Sequence, residues 1–91
     1  MQYRDLEFLR LVIFVYFNSS LKQNSYSKHI FCYLAHEELK TNQQTISKYL
    51  GCPINKVRAY KKKITSLLKA DDEVLLNDLK EIKKLLNNGS K

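Results

Sequence analysis

Residues 48–57 read KYLGCPINKV. An amphipathic run stops at Gly51, Pro53 follows almost at once, and a second periodic run opens with Lys56 and Arg58. Glycine suits the left-handed conformation that closes a helix, and proline, lacking an amide hydrogen, suits the first turn of the next. The stretch therefore predicts a third helix over about residues 42–50 and a fourth from Pro53 to about Lys69, joined by a tight turn.

The flanks extend this pattern. Thr41 and Gln44 form a Thr-x-x-Gln capping box for the third helix, with Ile46 and Leu50 one turn apart on its inner side. Val57, Tyr60, Ile64, Leu67 and Leu68 mark one face of the fourth helix. Upstream, Leu6, Leu9, Ile13 and Phe17 give a first helix over Met1–Phe17, broken by Asn18, Ser19 and Ser20. A second helix starts near Ser25 or Ser27, either able to accept from free amides, and buries Ile30, Phe31, Leu34 and Ala35. Downstream, Asp71, Asp72 and Glu73 favour the positive end of a fifth helix lined by Leu75, Leu79, Ile82 and Leu86, with Lys83 and Lys84 towards its negative end. Two glycines and one proline leave little material for hairpins or glycine-rich phosphate loops. The expectation is an all-α, compact bundle of about five helices containing a helix-turn-helix, one domain over residues 1–86 with a flexible tail at 87–91.

The longest apolar run, Leu11–Phe17, falls far short of the roughly 20 residues that cross a bilayer, and no signal-peptide cleavage pattern follows it. Cys32 and Cys52 are too few for a disulfide framework. A cytoplasmic protein with reduced thiols is expected, with no membrane contact. Charge is unevenly divided. Residues 40–69 hold eight basic residues and no acid, whereas residues 1–39 sum to zero and residues 70–91 to −1, so the whole net +7 sits on the segment of the opening motif. Such a distribution is the electrostatic footprint of a phosphate-binding surface.

A DNA-binding helix-turn-helix needs a small residue within its first helix, a glycine at the turn, and apolar residues that fix the crossing. Ser47, Gly51, Cys52, Val57 and Tyr60 stand at those places. With Val57 inward, Asn55, Ala59, Lys62 and Ser66 point outward, flanked by Lys56, Arg58 and Lys63. Asn55, Lys56, Arg58, Ala59 and Lys62 are thus the candidate base readers, because Asn matches adenine, Arg matches guanine, and Ala allows close approach or touches a thymine methyl. Lys40, Lys48 and Lys63 are candidate phosphate contacts. The expected partner is double-stranded DNA.

Residues 27–86 also resemble the C-terminal DNA-binding domain of the bacterial chromosomal replication initiator DnaA, through the Tyr33-Leu34 to Ile46 spacing, the Leu50-Gly51 turn, the Val57 to Ile64 stretch, and the acidic start and leucine spacing of the last helix. The resemblance implies an all-α fold related to the tryptophan repressor and binding to short duplex sites at origins and promoters. It places Lys28 where the family has a phosphate-contacting arginine, and leaves Lys22 as the remnant of a basic minor-groove loop shortened here to residues 21–25. Pro53-Ile54-Asn55-Lys56 replaces the family's Asp-His-Thr-Thr reading run, so a different DNA site is expected. A free-standing regulator or accessory factor of replication or transcription is the implied role.

Other chemistry is weaker. His29, Cys32 and His36 share one helical face, but a zinc site would need a further ligand such as Cys52 or Glu37. Surface histidines and a core Cys32 are expected instead, with no metal and no cofactor. No nucleophile–base arrangement or paired carboxylates stand out, so no catalytic residue and no small-molecule substrate are assigned: the chain is not expected to be an enzyme. The competing expectation is a helical protein-interaction module, of antitoxin or phage-modulator type, that does not bind DNA directly. Phe8, Phe14, Val15 and Tyr16 make the first helix apolar on more than one side, which invites a homodimer or another protein partner there.

Overall fold

Periodic apolar stripes become five helices in the computed structural model, which describes residues 3–18 and 25–89: α1 Tyr3–Phe17, α2 Ser25–Glu37, α3 Gln43–Leu50, α4 Ile54–Lys69 and α5 Glu73–Gly89. No strand occurs among the described residues. The radius of gyration is 12.1 Å, close to the roughly 12 Å of a folded chain of this length. Every stripe points as its spacing demands. Leu6, Leu9 and Ile13 of α1, Ile30, Phe31, Leu34 and Ala35 of α2, Ile46 of α3, Val57 and Ile64 of α4, and Leu75, Leu79, Ile82 and Leu86 of α5 are all buried. Phe17, Leu50, Leu67 and Leu68 are only half-buried against this core, each lying in the last turn of its helix where cover is incomplete.

Helix α2 is central, packing against α1, α3 and α4, while α5 lies chiefly on α1. The α1 and α5 helices run antiparallel, since Tyr16 meets Asp78 at one end and Asp5 and Phe8 lie beside Leu86 and Asn87 at the other. One polar contact ties three helices together. Asp78, 9% exposed, accepts from the Tyr16 hydroxyl at 2.7 Å and the Tyr26 hydroxyl at 2.9 Å. The Phe17 ring stands edge-on to both tyrosines, at 4.9 and 5.6 Å between centroids.

Helix ends differ from the sequence expectation in instructive ways. The third helix is capped by Asn42, whose Oδ1 accepts from the Thr45 amide at 2.7 Å. Thr41 is not the cap: it is fully buried, its amide donates to the Ala35 carbonyl at 3.0 Å, and its hydroxyl has no partner. Pro53 sits one position before the first turn of α4, and its carbonyl accepts from the Lys56 amide at 2.9 Å. Asp72 caps α5, accepting from the Leu75 amide at 2.9 Å. Helix α5 continues through Gly89, past the expected tail boundary at residue 87. Gly51 closes α3 with φ 70°, as expected, and its amide donates to the Ser47 carbonyl at 2.9 Å. The other left-handed positions fall on Asn18, Lys40 and Asp71, with φ 55°, 57° and 55°. Asn and Asp tolerate that conformation, but Lys40 adopts it against its Cβ sterics.

Two predictions follow from these contacts. Lys40→Gly should raise stability by about 1 kcal/mol and Gly51→Ala should lower it by a similar amount, because backbone strain alone is added or removed; a Cβ at Gly51 meets no other atom. Denaturant midpoints of the two variants check this. Asp78 also makes stability fall in alkali. Its hydrogen bond, then burial, pushes the Tyr16 hydroxyl up to about 12, and burial, then the Asp78 bond, raises Tyr26 as well. The folded chain thus holds protons that the unfolded chain releases near about pH 10. Stability is fully present below that pH and is lost as pH rises towards about 12. Asp78→Ala should flatten the loss, read from urea midpoints on either side of that range.

Candidate nucleic-acid interface

The acid-free segment becomes α3, the turn and α4, so the turn decides where its charges go. The Ser47 hydroxyl donates to the Cys52 carbonyl, and the Cys52 amide donates to the Ser47 carbonyl at 3.2 Å, closing the connection on itself. Val57 and Ile64 then lock α4 onto the core. With that side fixed, Asn55, Lys56, Arg58, Ala59, Lys62, Lys63 and Ser66 are all exposed. Ala59 and Ser66, being short, leave a shallow depression edged by Lys62, Lys63 and Leu67.

Three further candidate cations lie on other elements. Lys48 is exposed on α3, and Lys40 is exposed in the α2–α3 connection. Lys28 of α2 lies with its Nζ 5.9 Å from the centre of the Tyr60 ring. The His29 ring lies tilted against the same ring, with centroids 4.7 Å apart. Burial first, and then the charges of Lys63 and Lys28, push the His29 imidazole below its usual range. Lys28, His29, Tyr60 and Lys63 therefore form one cationic cluster that joins α2 to α4. Lys22 lies outside the described residues.

Two details were not visible in the spacing. Arg58 does not extend freely from α4: its Nε donates to Oε1 of Gln43, the first residue of α3, at 3.2 Å. Gln43 thus orients a candidate reader, and no periodicity singles it out. Lys61 is the exception among the cations. It is half-buried, 3.1 Å from a Glu37 carboxylate oxygen and 2.6 Å from His36 Nδ1. Lys61, then His36, holds the Glu37 carboxyl below its usual range. Pairs this exposed contribute under about 1 kcal/mol, so they place charge more than they hold the fold. Glu38 is likewise matched, with Lys83 at 3.0 Å.

The three ligand-type residues of α2 are drawn apart. Cys32 is fully buried, and burial pushes its thiol up to about 12. His29 faces Tyr60, and His36 faces Glu37 and Lys61. Among the described residues no group of three or more His, Cys, Asp and Glu side chains is placed to hold a metal ion. No described helix is long and apolar enough to cross a membrane. Compared with protein-family models, with curated proteins and with solved structures, the chain matches none.

Proposed function

We propose that the chain binds duplex DNA through the outward side of α4, with α3 beside it as a helix-turn-helix. One observation carries this: residues 40–69 bear eight cations and no acid, and all of those cations but Lys61 are exposed. An α-helix about 10–12 Å across fits a major groove about 12 Å wide. The absence of carboxylates along α4 removes the repulsion that phosphate would otherwise meet. Asn55, Lys56, Arg58, Ala59 and Lys62 are the proposed base readers. Lys28, Lys40, Lys48 and Lys63 are proposed to hold phosphate, and Lys22 joins them by its place in the sequence. The resemblance of residues 27–86 to the origin-binding domain of a replication initiator supports a regulator or accessory factor of replication or transcription in the cytoplasm. The second reading, a protein-interaction module, is favoured by the exposed Leu11, Phe14 and Val15.

Retarded migration with random duplex at low salt, without metal or nucleotide, supports the DNA proposal; unchanged mobility with every duplex tried would sink it. Variants then separate reading from holding. Asn55→Ala or Arg58→Ala should cost about 1–3 kcal/mol on a selected site and little on random duplex. Lys28→Ala or Lys63→Ala should weaken all duplexes alike and make the salt dependence shallower by roughly one unit of slope per contact. Full discrimination retained in the Asn55 and Arg58 variants would remove α4 as the reader.

A further inference from the structure

Helix α1 buries Leu6, Leu9, Val12 and Ile13 in the core, yet its other side is apolar too: Leu11 is 51% exposed, Phe14 43% and Val15 71%. Together with Phe8, Val12 and Leu85 of α5, Leu11 and Val15 line an open groove between the two antiparallel helices. An apolar strip left on the outer side of a helix favours a second surface that covers it.

Charge decides among the possible covers. The net +7 of the chain lies wholly within residues 40–69, away from α1 and α5. Beside the groove, charges are already matched: Glu7 with Arg10 at 3.0 Å, one turn before Leu11, and Glu81 with Lys84 at 4.0 Å, one turn before Leu85. An acidic protein or an anionic lipid surface would therefore settle on α4 instead. Interfacial membrane helices flank their apolar side with lysine and arginine. On α1, Arg10, one position before Leu11, is committed to Glu7 and Tyr49. Two copies of a +7 chain, by contrast, approach with least repulsion where net charge is absent. An apolar strip with neutral borders is also self-complementary, as a two-fold contact requires. Helix α1 has 15 residues, about 22 Å of length. Covering its outer side and the neighbouring edge of α5 would bury on the order of 600–800 Å² per copy, the lower part of the range for stable dimers.

We infer that the α1–α5 groove is the contact between two copies of this chain, paired about a two-fold axis, with the cationic side of α4 left uncovered on each. Sedimentation equilibrium of the full chain, without DNA, tests this independently of the nucleic-acid proposal. The mass should rise with concentration from 10.7 kDa towards twice that value. Val15→Glu and Leu11→Lys, both at exposed positions, should keep the helical circular dichroism of the parent and weaken the dimer at least about tenfold. Lys62→Ala, on α4, should leave the dimer unweakened. A chain that stays monomeric at submillimolar concentration overturns the inference. So does a dimer whose dissociation constant is unmoved by both α1 variants, or a monomer that is recruited to phosphatidylcholine vesicles.

Discussion

Burial of the α2 stripe is the constraint on which the rest depends. Ile30, Phe31, Cys32, Leu34 and Ala35 are all fully buried, and α2 alone packs against α1, α3 and α4 together. Each such aliphatic or aromatic side chain contributes roughly 1.5–3 kcal/mol relative to exposure. The half-exposed ion pairs that decorate the molecule contribute under about 1 kcal/mol each. Packing therefore sets the geometry, and the charges take the positions that packing leaves them.

From that constraint the two sides of the molecule follow. Val57 and Ile64 seat α4 on the core, with Tyr60, Leu67 and Leu68 half-buried beside them, so Lys56, Arg58, Lys62, Lys63 and Lys69 are left exposed. The acids of α2 do not neutralise that side, because Glu37 is taken by Lys61 and Glu38 by Lys83. On the other side Asp78 draws Tyr16 and Tyr26 together and fixes α5 against α1 and α2. The apolar Leu11, Phe14 and Val15 stay exposed on that side. A cationic surface on α4 and an apolar strip on α1 thus lie on different elements, as the proposed DNA contact and the proposed dimer both require.

Much of this was legible in the sequence, for physical reasons. A buried stripe must recur at helical spacing, so the inner faces of all five helices could be read from the positions of their apolar residues alone. Gly51 announced the α3–α4 turn because few other residues take a positive φ without strain. Where side chains act singly the pattern failed. Thr41 matched a capping pattern that Asn42 fulfils, since the chain turned Thr41 into the core. The positive φ of Lys40 left no mark, since lysine does not favour that conformation. At the candidate interface, exposure of Asn55, Ala59 and Lys62 followed from periodicity. The Gln43 bond to Arg58 and the loss of Lys61 to Glu37 depend on the approach of separate helices, which spacing within one helix does not encode.

The proposed contact between the uncovered side of α4 and DNA can be followed residue by residue. Titration of a short duplex into the isotope-labelled chain at low salt, followed by amide chemical shifts, tests it most directly. Binding through α4 should concentrate the shifts on residues 55–66, with Lys28 and Lys48, and leave the amides of α1 quiet. Shifts confined to α1 and α5, or none at all, would contradict it.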